Sequence, residues 1–217
     1  MNIKSLKTLF VFALILVGFN VSAQSSEWKF VKESNGVKVY YKTVEGSDIK
    51  EVKITTSFNA SMNAIISVLT DVENYPKWVY GAVKSKEVSR QSAHDLNYYN
   101  KIDFPWPLSD RDIVIHTHIT QDPKTKVVHS VSNANSSLVP LEKGYVRMTK
   151  FNSKWTFTPN GNNIKGEYEF SSNPGGNIPS WMVNMALDEG PVKTIQNLKK
   201  LIYSSESSNK SELVSLE

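Results

Sequence analysis

Cysteine is absent from all 217 residues. That absence excludes disulfide staples, thiolate nucleophiles, cysteine-ligated zinc or iron–sulfur sites and an N-terminal lipoprotein anchor. Charge of one sign is scarce too, with 25 basic side chains against 21 acidic ones. No apolar run approaches the ~20 residues that a membrane-spanning helix needs; the longest, residues 9–17, follows Lys4 and Lys7 and precedes Val21-Ser22-Ala23. Residues 1–23 therefore read as an export signal, cleaved before Gln24. Removing them takes away two lysines and no acid, leaving 23 basic against 21 acidic side chains. Near neutrality without a basic stripe argues against nucleic acid as a partner. The mature chain is expected in the periplasm or outside the cell. At the other end, residues 204–217 are rich in serine and too polar to bury, so they read as a disordered tail. Residues 24–203 remain as one domain.

What is present alternates. Residues 28–32 and 37–42 flank Asn35-Gly36, a hairpin signal because both turn residues tolerate positive φ. A third alternating segment covers 49–58. Ala64, Ile65, Val68 and Leu69 then recur at helical spacing, with Asn59 or Ser61 as the cap. Asn74 to Tyr80 place three aromatics around Pro76, which suits a brief second helix or turn. Strands are expected again over 83–88, 97–104, 113–120, 127–131, 146–157 (with a break near Asn152) and 164–170. One long helix starts at Pro179-Ser180-Trp181 and runs to Tyr203, kinked at Pro191, which lacks an N–H and crowds the preceding turn. The fold class is α+β, an antiparallel sheet closed by a long C-terminal helix that lays its apolar face on the concave side.

Five segments then resemble a known family. They are Gly36-Val37-Lys38-Val39-Tyr40, Asp71-Val72-Glu73-Asn74-Tyr75-Pro76-Lys77-Trp78, the stretch from Asp103-Phe104-Pro105-Trp106 to Ile113-Val114, the strand end Trp155 to Pro159, and Pro174-Gly175-Gly176-Asn177-Ile178-Pro179-Ser180-Trp181-Met182-Val183-Asn184. Their order and spacing are similar to a bacterial, exported START domain, the lipid-transfer module related to the steroidogenic acute regulatory protein. The resemblance implies a helix-grip fold, a curved sheet wrapped around the C-terminal helix, with a hydrophobic tunnel for one lipid or sterol and a lid made by that helix and its neighbouring loops. Sterol-carrying members place an arginine on the strand after the Arg-Asp segment, paired with an acid. Counted from Arg111 the matching position here is Thr117, and the partner strand offers Tyr98 and Asn100 in place of the carboxylate.

Strand phase gives a cavity wall independently. Period two turns Ile113, Ile115, Thr117 and Ile119 inward and His116 and His118 outward. Tyr98, Asn100, Ile102 and Phe104 share a face, as do Trp155 with Phe157 and Tyr168 with Phe170; each of these reads as ordinary core or as cavity wall. Met148, Met182 and Met185 would add adaptable apolar surface. The His116-x-His118 pair reads as solvent-facing more than as a metal site. Arg111 reads either as a clamp for a phosphate or carboxylate head group or, the favoured alternative, as part of an ion-pair network with Asp112 or Asp71. Arg147 is a second head-group candidate or a surface charge, depending on phase. Gly175-Gly176 reads as a hinge for the lid or as a tight turn.

No Gly-x-Ser-x-Gly elbow and no Gly-x-Gly-x-x-Gly phosphate loop is present, and no metal or cofactor is expected. The expected function is noncatalytic: a monomer that binds, and in one version transfers, one lipid or sterol-like molecule, with Trp106 and Trp181 either touching a membrane during exchange or simply buried. Tyr98, Asn100, Thr117 and Arg147 are the polar candidates for ligand contact. The alternatives are a cyclase-like helix-grip enzyme, which needs titratable groups inside the cavity, and a ligand-free structural domain.

Overall fold

The computed structural model describes residues 27–187 and 189–208. The expected export signal and residues 209–217 lie outside them. Ten strands form one curved sheet: β1 (Lys29–Ser34), β2 (Val37–Val44), β3 (Ser47–Phe58), β4 (Ala82–Ser92), β5 (Asp95–Ile102), β6 (Arg111–Gln121), β7 (Val128–Ala134), β8 (Val146–Arg147), β9 (Lys150–Asn160) and β10 (Asn163–Asn173). Nine of them follow the order β1-β2-β3-β10-β9-β7-β6-β5-β4, all antiparallel, and the two-residue β8 runs parallel beside β6. The β1–β2 turn is the expected one, with Asn35 at φ 51° and Gly36 at φ 71°.

Helix α1 (Met62–Thr70) sits between β3 and β4 and is capped by Ser61, whose Oγ accepts from the Ala64 N–H at 3.2 Å. The aromatic segment after it becomes a 3-10 helix, Val72–Lys77, in which Tyr75 donates to the Leu69 carbonyl at 2.7 Å. The segment expected over 146–157 with a break near Asn152 does form two strands. Its break falls at Met148–Thr149, before Asn152, because β8 pairs with Arg111 and Asp112 of β6 whereas β9 must pair with β7 and β10.

The C-terminal helix also differs from the sequence expectation. It is not one kinked helix but two, α2 (Ser180–Ala186) and α3 (Glu189–Ser208). Pro191 lies in the first turn of α3, where a missing N–H breaks no intrahelical bond, so the chain divides before the proline rather than bending at it. Helix α3 also runs past Tyr203 to Ser208, with Ser204 Oγ donating to the Leu201 carbonyl.

Register explains which residues meet α3. Val37 and Val39 of β2, Val52, Ile54 and Phe58 of β3, and Ile65, Ile66 and Leu69 of α1 form the core with Val192, Ile195, Leu198 and Ile202 of α3. These α3 positions recur at i, i+3, i+6 and i+10, one stripe of the helix. Each fully buried Ile or Leu removes enough apolar surface from water to contribute roughly 1.5–3 kcal/mol. The packed core thus occupies the β2–β3 side of the concave face. The β5, β6, β7 and β9 side faces α2 and the first turn of α3, and there the side chains do not fill the space.

Candidate binding pocket

That space is a pocket of about 420 Å³. Its floor follows the alternation of the strands. Leu96, Thr117, Ser132, Ser153 and Phe170 lie opposite one another in a single row across β5, β6, β7, β9 and β10. Ile119, Ser130, Trp155 and Tyr168 form the next row. Residues directly opposite on neighbouring strands share a face, so fixing Thr117 inward fixes the rest. Of the residues singled out by sequence, Tyr98, Asn100, Ile102 and Phe104 line the pocket, with Ile113, Ile115 and Thr117. So do Met148, Trp155, Tyr168, Phe170 and Met182.

Three of the expected wall residues are elsewhere. Phe157 is fully buried in the core, packed edge-on against Phe58 at 6.0 Å and stacked on Trp155 at 4.9 Å, so it buttresses the wall without forming it. Met185 is exposed: Met182, Val183 and Ala186 turn to the pocket, which puts Met185 on the opposite side of α2 beside exposed Trp181, one helical turn earlier. Arg147 points away from the pocket. Its side chain is 5% exposed and spends every donor on protein. Nε and Nη2 bind the two Asp112 oxygens at 2.9 and 2.8 Å, while Nη1 and Nη2 also donate to the carbonyls of Ser136, Val139 and Pro140. It is neither a head-group ligand nor a surface charge.

Arg111 departs from its favoured reading as well. It makes no ion pair with Asp112 or Asp71; Nε and Nη2 donate to the Pro174 and Gly175 carbonyls, each at 3.2 Å, and Nη1 to that of Ser109. The guanidinium lies 4.4 Å from the Phe104 ring centroid. Burial holds its pKa below the usual arginine range, against the favourable field of Asp110. The Gly175-Gly176 turn, with both residues at φ 67°, is thus tied to β6 by a fork of charged donors. A second tie holds α2 itself, where Asn184 accepts from the Lys50 N–H at 3.1 Å and donates to the Asp48 carbonyl at 2.8 Å. Together these fix the roof of the pocket over its floor.

Several pocket residues escaped the sequence reading. Ser130, Ser132 and Ser153 face inward, whereas Val131 on the same strand as Ser130 is exposed. Hydrophobic-in alternation assigns that strand the opposite phase; the usable signal was its register with Thr117. Tyr75 enters from the 3-10 helix and Trp78 from its C-cap, positions that the aromatic content of the segment does not by itself assign to the pocket. Pro191 and Thr194 of α3 also line the pocket.

Among the described residues, the titratable groups that line the pocket are phenols. Burial pushes Tyr168 up to about 12 and also raises Tyr98 and Tyr75 from the ordinary phenol value, so all three keep their protons at neutral pH. On the outer face, His116 and His118 share one carboxylate, Asp95, at 2.9 and 2.8 Å. Among the described residues no group of three or more His, Cys, Asp or Glu is arranged to hold a metal ion.

Comparison with known proteins places this geometry. The START domain family model matches residues 19–206. An uncharacterized protein of Pseudomonas aeruginosa is 32% identical over 190 residues, covering 87% of this chain and 93% of its own. Phosphatidylcholine transfer protein of Mus musculus is 23% identical over 182 residues, covering 81% of this chain and 83% of its own. The crystal structure of a STAR-related lipid transfer protein fragment from Xanthomonas axonopodis superimposes with a TM-score of 0.77 at 28% identity, over 81% of this chain and 98% of that one.

Proposed function

Because the chain belongs to the START domain family, we propose that it holds one hydrophobic molecule in the pocket between the sheet and α2–α3 and carries it between membranes without chemical change. The observation that carries this reading is the composition of the wall. Strands β5, β6, β9 and β10, the 3-10 helix and α2 all turn aromatic, aliphatic or methionine side chains toward one unfilled space of about 420 Å³, which α3 borders with Gly190, Pro191 and Thr194. Apolar surface removed from water contributes about 25 cal/mol per Å², so a hydrocarbon chain can be held with few polar contacts. The buried phenols are poor proton donors and acceptors near pH 7, which favours binding over the acid–base work of a cyclase.

Release requires the roof to open. The loop after β5 gives Phe104, Pro105 and Leu108 to the pocket while Trp106 projects outward at 92% exposure. Trp181 and Met185 project from α2. In this reading these side chains enter the lipid interface, where amphipathic aromatics are stable, and the Arg111 and Asn184 ties yield. The proposal includes export of the mature chain through residues 1–23.

Two measurements test it. The protein is purified from its native compartment, native mass spectrometry reads the bound mass, and solvent extraction identifies the molecule. A bound lipid is expected; apo protein that also takes up nothing from mixed-lipid vesicles overturns the reading. Met182→Trp or Ile115→Trp fills the pocket and should lower lipid occupancy by about tenfold at unchanged secondary structure, the effect of roughly 1.4 kcal/mol of lost binding.

A further inference from the structure

Resting on that reading of the pocket, we infer that its ligand is an uncharged lipid whose buried polar group is a hydroxyl or a similar donor–acceptor, and that anionic lipids are discriminated against. Among the described residues lining the pocket there is no Asp, Glu, Lys, Arg or His. The two arginines nearest in sequence to the wall are committed elsewhere. Arg147 spends all its donors on Asp112 and three carbonyls, and Arg111 holds the loop at Pro174 and Gly175. A carboxylate or phosphate drawn into this space would lose its hydration without meeting a cation, which is far more costly than burying a hydroxyl.

What the pocket does offer is neutral and incomplete. Thr117 and Ser132 share one hydrogen bond at 2.7 Å, with Ser153 next in the same cross-strand row. Each hydroxyl has one hydrogen and two lone pairs, so this pair retains both donor and acceptor capacity. Asn100 is 4% exposed and its Oδ1 has no hydrogen-bond partner; Trp78 is 5% exposed and its Nε1 has none either. Both residues line the pocket. Buried polar atoms are paired in the great majority of cases, so an orphan acceptor and an orphan donor in one pocket mark what its occupant must supply. A hydroxyl supplies both, donating to an oxygen such as Asn100 Oδ1 and accepting from an N–H such as Trp78 Nε1. An ionised carboxylate has no hydrogen to give and would face the Asn100 oxygen as acceptor against acceptor.

The test offers the protein an equimolar mixture of 1-hexadecanol, hexadecanoate and hexadecane at pH 8 and reads occupancy by native mass spectrometry. The three share a chain length and differ only at the end group. Hexadecanol is expected to exceed hexadecanoate by at least about 100-fold and hexadecane by about 5-fold, and the first gap should narrow as acid protonates the carboxylate. Hexadecanoate equal to or above hexadecanol at pH 8 overturns the inference while leaving the pocket a lipid site. Equal occupancy by all three overturns polar recognition in the same way; no occupancy by any of them overturns the binding reading itself, and the inference with it. Thr117→Val and, separately, Asn100→Leu should bring hexadecanol to within about twofold of hexadecane in the same mixture. An undiminished hexadecanol preference in both variants overturns the assigned residues.

Discussion

Replacing Arg147 with methionine separates a structural arginine from a ligand-binding one. The side chains of Arg147 and Asp112 are 5% and 1% exposed, so solvent screens neither charge. Removing one partner of a buried ion pair costs about 3–5 kcal/mol, chiefly because the remaining charge is stranded. Here Asp112 would keep the Tyr99 hydroxyl, which donates to its Oδ2 at 2.9 Å. The carbonyls of Ser136, Val139 and Pro140 would lose a charged donor at the same time. These effects oppose each other, and about 3–4 kcal/mol is the expected loss, a fall in Tm of roughly 6–16 °C for a domain of this size. The assay is thermal and urea denaturation followed by circular dichroism, with 1-hexadecanol occupancy measured on the folded fraction. Occupancy per folded molecule should be unchanged. Asp112→Asn combined with Arg147→Met should cost less than the sum of the single changes, with a coupling of about 1–3 kcal/mol. A Tm lowered by less than 2 °C together with lost lipid binding would refute the argument and return Arg147 to the ligand.

Three further substitutions probe other parts of the reasoning. In Gly166→Ala the new methyl would lie 2.6 Å from Phe58 Cε2, and Phe58 is held by Phe157 and Trp155, so unfolding should ease by about 1–3 kcal/mol in urea titration; unchanged stability would mean the β3–β10 packing is looser than described. Arg111→Lys keeps the charge but loses the fork to the Pro174 and Gly175 carbonyls, so amide exchange over residues 174–178 and lipid release should both accelerate; equal rates would remove the loop tie from the mechanism. Hydrogen bonds from His116 and His118 hold Asp95 below the usual carboxylate range, so its contribution to stability is full above about pH 4 and is lost as pH falls through the lowered pKa. Asp95→Asn should therefore flatten the acid limb of the Tm–pH curve, and a limb that keeps its slope would assign it to other carboxylates.

The legible parts of the molecule were those governed by local rules. Asn35-Gly36 specified a hairpin because so few residues accept positive φ in succession, and Ile113, Ile115 and Thr117 specified a strand face because the pleat repeats every two residues. The illegible parts involved partners distant in sequence. Arg111 contacts the carbonyls of Pro174 and Gly175, more than sixty positions away, and no composition or spacing rule names a backbone carbonyl as partner. Arg147 and Asp112 meet because β8 runs parallel beside β6, a pairing that two residues of strand cannot announce. Ser130 and Ser132 face inward against the preference of their types, since the register with β6 and β9 overrides the pattern of a short strand.

The sequence by itself determined the balance of layers, the absence of cysteine chemistry and most of the aromatic wall, because propensity and alternation act between near neighbours. Tertiary structure decided whether that wall encloses a space and what charge the space tolerates. Filling depends on how far α2 and α3 stand from the curved sheet, and charge depends on where long arginine side chains end. Arg111 and Arg147 both end on protein oxygens, and among the described residues the pocket lining carries no charged side chain.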